Sequence, residues 1–313
     1  MIQHFITSQL EKWETARNNY AALSGVRVKT IDLNGILYKV QFNPARIVSS
    51  GAKVDAKAIS QRKCFLCAAN RPEVQEGIDW GGHYDILVNP FPIFPLHLTI
   101  PEKEHLPQSI RNRIGDLMKL AAELPDFTIF YNGPKCGASA PDHAHFQAGN
   151  RGFMPIEEQC KSLKGTLLDQ EGGATLSLLD DAPRTTLLLR TKQLEEGVTI
   201  FQRLYDRLPL QSDDTEPMMN VLALYDAAEG WSLCIFPRRK HRPDCYFAEG
   251  DQRLLSSPAS VDLGGVFILP IEEDFNRINA TLLEGILREV CLPHEQALRL
   301  KSNMYKQKDH NES

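Results

Sequence analysis

Two histidines and a glutamine, His143-Ala-His145-Phe-Gln147, alternate with apolar residues, and on a β-strand the side chains at i, i+2 and i+4 share one face. The spacing predicts that two imidazoles and a carboxamide converge. Ahead of them runs Asn132-Gly-Pro-Lys135-Cys-Gly137-Ala138-Ser139-Ala-Pro-Asp142, a loop of small residues whose amides can approach a phosphate without obstruction. Imidazole is a competent nucleophile toward phosphorus, so the array points to transfer of a nucleotidyl group through a covalent histidine intermediate. The plainer alternative is a pair of packed histidines on a strand.

The stretch Asn132–Gln147 resembles the active-site signature of the galactose-1-phosphate uridylyltransferase branch of the histidine-triad (HIT) superfamily, in which His-x-His-x-Gln stands in place of the hydrolases' three histidines. Cys64-Phe-Leu-Cys67 is similar to the zinc half-site of the uridylyltransferases, and Asn89-Pro-Phe91-Pro to their nucleoside-binding strand. Pro95-Leu-His97-Leu-Thr-Ile-Pro-Glu-Lys-Glu-His105 resembles the HIT pattern of a histidine-bearing strand followed by a proline and a second histidine. These matches lie in the family's order over about residues 62–150, and their concurrence makes chance a poor explanation even though each short motif is weak alone. Leu106-Pro-Gln108, and the pairing of the motif with Met154-Pro-Ile-Glu157, look like the GDP-hexose phosphorylases. The run Asn89–His97 is similar to the diadenosine tetraphosphate phosphorylases.

The resemblance implies an α+β, HIT-like fold of two divergent halves with antiparallel sheets and flanking helices, residues 1–160 carrying the catalytic motif and 161–313 restating the plan. His145 would attack the α-phosphorus, with Gln147 donating to the nonbridging oxygens. Asn132, Gly137, Ala138 and Ser139 would surround the phosphate, and Leu66, Asn89 and Phe91 the nucleoside. The ribose-binding acid of the uridylyltransferases is Pro90 here, so ribose must be met differently. Cys64, Cys67, His143 and His105 would bind zinc, with His97 as the rival to His105; two reduced, buried cysteines remain the alternative. Lys135 and Arg151 flank the signature as phosphate ligands or as solvated charges. The same choice applies to the basic run Arg238-Arg-Lys-His-Arg242.

The elements that must position these residues are visible as periodicities. Residues Ile2–Leu23 predict one amphipathic helix, and Val26–Leu33 with Ile36–Phe42 a hairpin around Asn34-Gly35. Ile86–Val88, Leu98–Ile100, Phe127–Tyr131 and Ala144–Ala148 read as strands. Ile110, Ile114, Leu117, Ala121 and Leu124 mark a helix that ends before Pro125. In the second half, Val221–Tyr225 and Trp231–Phe236 followed by Pro237–His241 parallel Ile100-Pro101 to His105, and Val266–Leu269 and a helix Ile278–Val290 complete the plan. A boundary is expected near Gln159–Gly173, where glycine and polar residues collect.

The 313 residues suffice for a large core, and 42% hydrophobic with 24% charged content is ordinary for a globular chain. A net charge of −5 supplies no global field for nucleic acid, so a polyphosphate must be met by local cations. No window approaches the roughly 18 apolar residues of a membrane helix, and the N-terminus lacks a signal-peptide pattern. Seven cysteines without a framework agree with a reducing, cytoplasmic setting. The polar tail 306–313 is expected to fray. The expected activity is therefore that of a nucleotidyltransferase or phosphorylase acting on a nucleotide-sugar or dinucleotide, with phosphate or a sugar phosphate as acceptor. A HIT-type hydrolase and a noncatalytic nucleotide-binding protein are the alternatives. Base, sugar, acceptor and oligomeric state stay open.

Overall fold

A computed structural model describes residues 2–47, 59 and 61–305; the tail 306–313 lies outside the described residues. Asn34 and Gly35 both take positive φ, 56° and 85°, as a two-residue hairpin turn requires. Strand β1 (Arg27–Leu33) accordingly pairs with β2 (Ile36–Phe42), Leu33 opposite Ile36. The single helix expected before them is two, α1 (Ile2–Lys12) and α2 (Glu14–Ala21), because Trp13 between them is extended, with φ −108° and ψ 96°. The break lets the indole be buried, a gain that outweighs one continuous helix.

The first half then supplies β3 (Gly77–Trp80), β4 (Tyr84–Val88), β5 (His97–Pro101), α3 (Ile114–Glu123), β6 (Phe127–Asn132) and β7 (His145–Asn150). After α4 (Ile156–Ser162) come β8 (Gly165–Glu171), β9 (Ala174–Leu179), β10 (Leu187–Thr191), α5 (Leu194–Tyr205), β11 (Met219–Asp226) and β12 (Gly230–Pro237). The ten strands β3–β12 form one sheet in the order 3-4-5-7-6-11-12-10-9-8, antiparallel throughout. Taken inward from either edge, each half has the same plan: three strands, a helix, then two strands whose spatial order is exchanged. The repetition therefore lies in strand order. It does not lie where the proline–histidine likeness suggests, since Pro237–His241 leaves β12, the counterpart of β7 and not of β5.

Strand β13 (Val266–Leu269) corrects the expected plan further, because it leaves the large sheet and pairs in parallel with β2 in a separate β1-β2-β13 sheet. The stretch 159–173, where a boundary was expected, holds the end of α4, then β8 and its turn toward β9, so the second set of strands begins within it. Helix α3 starts at Ile114, four residues later than its periodicity suggests, because the Ile110 N–H is held at 2.9 Å by the buried carboxylate of Glu216. Strand β7 begins at His145, which leaves His143 in the preceding loop.

Alternation sorts the side chains between two layers. Ile129, Tyr131, Phe146, Ala148, Val221 and Leu233 face Leu117 and Met118 of α3 and Ile200 and Phe201 of α5. Phe130, Leu222, Cys234 and Phe236 face the other way, onto Tyr38, Val40 and Phe267 of the small sheet and, after α6 (Ser260–Leu263) and α7 (Glu272–Arg277), Leu287 of α8 (Ala280–Val290). At β7 that second face carries His145 and Gln147 instead of apolar residues, and a cavity opens over it. Among the described residues no helix is long and apolar enough to cross a membrane.

The halves meet where β6 pairs with β11, Asn132 opposite Asn220. The fully buried Asn220 donates through Nδ2 to Asn132 Oδ1 (2.8 Å) and Cys136 O (2.7 Å), and accepts at Oδ1 from Arg238 Nη1 (2.8 Å). Asn220→Ala leaves these groups short of partners at a cost on the order of 2 kcal/mol, so calorimetry should show Tm lowered by roughly 5 °C. An unchanged Tm would mean that the junction does not depend on this side chain.

Candidate functional site

A cavity of about 660 Å³ lies over the exposed face of β7 and receives residues from both halves. Leu66, Asn89 and Phe91 line it beyond one side of β7, and Asn132, Gly137, Ala138 and Ser139 line it on the other, with His145 and Gln147 between. The structure thus gathers around one space every residue that the sequence assigned to nucleophile, phosphate loop and nucleoside pocket. Trp13, Arg46, Arg62, Gln75, His241, Arg242 and Asp262 join them without having been singled out for it, except as members of the basic run.

The expected convergence of both histidines with Gln147 does not occur. His143 precedes the strand and turns to Cys64 and Cys67, while His145 faces the cavity. His145 Nδ1 lies 2.8 Å from the carbonyl of His143. That bond requires a hydrogen on Nδ1, so in the neutral ring Nε2 carries the lone pair. Burial pushes the His145 pKa down to about 4, against the opposing effect of the His143 carbonyl.

Two carboxamides flank this imidazole, and in each the oxygen is already committed. Asn132 Oδ1 accepts from Asn220 Nδ2 (2.8 Å), Ser260 N (2.9 Å) and Ser260 Oγ (2.7 Å). Gln147 Oε1 accepts from Asn89 Nδ2 (3.4 Å) and lies 3.0 Å from His97 Nε2. His97 must donate there, because its Nδ1 takes the Ile93 N–H at 3.1 Å. Burial drives the His97 pKa down to about 3, so the ring is neutral and this tautomer is the stable one. Both amide nitrogens are thereby left toward the cavity as donors. Asp262 is the one acid among the described lining residues, and its two oxygens accept from Ile268 N (3.0 Å) and Ala259 N (2.9 Å). The cavity presents donors and cations, which is the chemistry of an anion site.

Gln108 holds the backbone of His145. The β6–β7 ladder runs from Phe127 opposite Asn150 to Phe130 opposite Gln147 and stops. Beyond it the fully buried Gln108 carboxamide stands between the strands: Oε1 accepts from His145 N (2.8 Å), and Nε2 donates to His145 O (3.0 Å) and Asn132 O (2.9 Å). The strands are held apart there without losing their hydrogen bonds, and the loop 133–144 fits into the opening. Gly137 in that loop has φ +93°, and a Cβ on it would sit 2.6 Å from the Ala259 Cβ, so only glycine lets the loop lie against the second half. The sequence signal for Gln108 was the Leu106-Pro-Gln108 likeness, which carried no role.

On the far side of the loop, Cys64, Cys67, His105 and His143 bring their ligand atoms within 4.8 Å of one another. Cys64 Sγ lies 3.3 Å from His143 Nδ1, and Cys67 Sγ 3.1 Å from His105 Nδ1 and 3.5 Å from His143 Nδ1. Edges near 3.5 Å are what roughly 2.3 Å metal–sulfur and 2.0 Å metal–nitrogen bonds give in a tetrahedron. His143 Nε2 lies 2.7 Å from the Glu102 carbonyl, which fixes its proton on Nε2 and turns the Nδ1 lone pair to the cysteines. These residues fit a metal ion. The rival ligand His97 is absent from the cluster, being spent on Gln147. Lys135 is ion-paired with Asp214, and Arg151 donates to Pro125 O and Tyr225 O, so neither reaches the cavity.

A family profile described as a domain of unknown function (DUF4922) matches residues 5–150, the span that holds β7 and the cysteine pair. No curated protein matches the sequence. Among solved structures, yeast Ap4A phosphorylase Apa2 is similar at 17% identity and a TM-score of 0.60, over 90% of this chain and 97% of that one. Its complex with AMP gives 17% and 0.57 over 91% and 97%, and its complex with Ap4A 16% and 0.57 over 90% and 97%. At that identity the likeness establishes the fold, which is the HIT-like α+β architecture.

The role of Gln108 can be tested on the folded chain alone. Gln108→Met removes partners from three buried backbone groups and should cost about 3 kcal/mol in urea denaturation. Gln108→Glu sets an anionic oxygen against two carbonyls, which raises the folded-state pKa of the new carboxyl above its unfolded value near 4.3. Protonation then favours the fold, so the Glu variant should gain stability relative to the Met variant as pH falls from 7 toward about 4. Parallel pH profiles for the two variants would remove the carboxamide from this place.

Proposed function

We propose that the protein is a nucleotidyltransferase of the phosphorylase type, working on a dinucleotide or nucleotide-sugar through a nucleotidyl group carried on His145. The observation that carries this reading is the His145 Nε2 lone pair set between two carboxamides whose oxygens are already bonded, in a cavity with no uncommitted acid. The neighbouring yeast phosphorylase, solved with AMP and with Ap4A, supports a dinucleotide as donor.

In this scheme Nε2 attacks the α-phosphorus, a P–N bond forms, and the P–O bond to the remainder of the donor breaks. The nonbridging oxygens gain charge and are met by the amide nitrogens of Gln147 and Asn132 and by the loop at Gly137, Ala138 and Ser139. Leu66, Asn89 and Phe91 hold the nucleoside, the Asn89 Oδ1 fixing Phe91 through its N–H at 2.9 Å. An oxygen of phosphate or of a sugar phosphate then attacks the same phosphorus, the P–N bond breaks, and the nucleoside diphosphate or its conjugate leaves. Residues 1–160 thus carry the reacting groups and 161–313 complete the cavity. Cys64, Cys67, His105 and His143 would hold zinc, which would supply no chemistry to the phosphate but would steady His143, whose carbonyl sets the His145 tautomer.

Three measurements test the reading. Ap4A labelled at its α-phosphates should leave acid-labile label on the protein, and His145→Ala should abolish both label and turnover; normal turnover in that variant would sink the mechanism. Metal analysis of protein prepared without chelators should find about one zinc per chain, lost in Cys64→Ser with lowered stability, and a metal-free parent would remove the zinc. Gln147→His should lower phosphate-dependent formation of nucleoside diphosphate and raise the monophosphate released by water, since an imidazole there can assist proton transfer. A parent that yields only monophosphate at saturating phosphate, with no sugar phosphate doing better, would favour the hydrolase.

A further inference from the structure

The basic run 238–242 is divided by the fold. Arg238 is buried and structural, donating to Val290 O, Pro258 O, Lys240 O and His241 O as well as to Asn220. Arg239 donates to Arg288 O and Glu289 O near the end of α8, and Lys240 is paired with Asp244 and Glu289. His241 and Arg242 are the two that line the cavity. Their place follows from strand order. The nucleoside residues Asn89 and Phe91 sit just after β4, His145 and Gln147 on β7, Asn132 on β6, and His241 and Arg242 just beyond β12, on the side of β6 away from β4. His145 therefore stands between a nucleoside end and a cationic end supplied by the second half.

We propose that Arg242, with His241 beside it, forms the subsite for the phosphate group of the acceptor, whether orthophosphate or the phosphate of a sugar phosphate. The proposal rests on the nucleotidyl-His145 reading. Three features make this a built site. Arg242 Nε donates to Ser257 Oγ at 3.0 Å, and its guanidinium lies 4.2 Å from the centre of the Tyr246 ring, so the fork is held in one plane. The His241 carbonyl is tied to Arg238 Nη2 at 2.9 Å, which anchors the turn to the buried junction of the halves. Gly137 packs on Ala259, two residues from Ser257, so the phosphate loop and this turn adjoin. A guanidinium suits a phosphate by presenting paired donors in a fixed geometry. In the second step the bound phosphate loses no bond of its own: one of its oxygens forms the new P–O bond as the P–N bond to His145 breaks, and Arg242 holds it in line for that attack.

The test uses the full chain and two readouts. In the first, the thermal shift given by inorganic phosphate is measured without any donor; the parent should rise in Tm with phosphate, as any ligand binding the folded state requires. Arg242→Ala should need at least tenfold more phosphate for the same rise, and Arg242→Lys should fall between. Equal phosphate dependence in parent and Arg242→Ala would overturn the subsite, whatever happens at His145. In the second, nucleotidyl-enzyme made with labelled Ap4A is isolated and chased with orthophosphate or with a hexose 1-phosphate. A raised half-saturating concentration in Arg242→Ala for orthophosphate alone assigns the site to phosphorolysis, and for the hexose phosphate alone to nucleotidyl exchange. An unshifted value for both sinks the proposal. Absence of label in the parent with the thermal shift still dependent on Arg242 would instead fault the covalent reading and leave a phosphate site.

Discussion

A carboxamide offers an acceptor and a donor in nearly the same shape, and an anion site works only if the donor end is the one presented. The cavity depends on settling that choice twice. For Asn132 three donors from the second half occupy the oxygen, and for Gln147 the occupants are Asn89 and a neutral His97. Rotating either amide would set buried N–H against N–H and leave an acceptor facing the anion, a cost of a few kcal/mol in each place. Asp262 differs in kind: its oxygens accept from backbone amides and so offer no open acceptor, while burial, not those bonds, works against its charge and pushes its pKa up to about 6.

Satisfying these atoms demands partners that a regular sheet does not provide. The opening between β6 and β7 gives room for the loop 133–144, and the price in lost ladder bonds is offset by Gln108, which takes up the polar groups of His145 and Asn132. The cysteine–histidine cluster steadies the same backbone from the other end. His143 is fixed by Glu102 and the cysteines, and its carbonyl in turn fixes the ring of His145. Two supports, one at the backbone and one at the imidazole, converge on a single residue.

How far the sequence exposed this depends on the kind of information each feature needs. Period-two alternation and the Asn34-Gly35 turn are local, so the hairpin and the strands β4–β7 and β11–β13 were legible, whereas β3 and the edge set β8–β10 were not named from the sequence. The cluster of Cys64, Cys67, His105 and His143 was legible because its spacing resembles a known pattern, whereas strand alternation wrongly placed His143 on one face with His145 and Gln147. Trp13 was missed because helical periodicity continues across it, and only its burial shows why the helix breaks. The partners of Asn132 were missed for a different reason: Asn220 and Ser260 lie far along the chain, and nothing local in either marks an asparagine or serine as a clamp. The basic run was left open between phosphate ligands and solvated charges, and its density could not divide it: two of its five members line the cavity, and the buried Arg238 serves the fold.

The repeated strand order raises the question of why the cavity opens over the sheet face of the first half and not over the equivalent face of the second. The answer lies in what covers the equivalent face. In the second half Leu222, Cys234 and Phe236 are packed under Tyr38, Val40 and Phe267 of the small sheet, and the buried Arg184–Asp181 pair, bonded to Thr186 and Leu263 O, fills the polar space beside them. Moving β13 out of the large sheet to pair with β2 is what builds that cover. Such a face has no room for a ligand, but its immobility has a use. Asn220 and Ser260 reach from it to Asn132 and orient that side chain, and Arg238 in turn fixes Asn220. The half whose own sheet face is covered thereby supports the donors of the other, and replacing its apolar cover with an open cavity would remove the footing that the existing cavity requires.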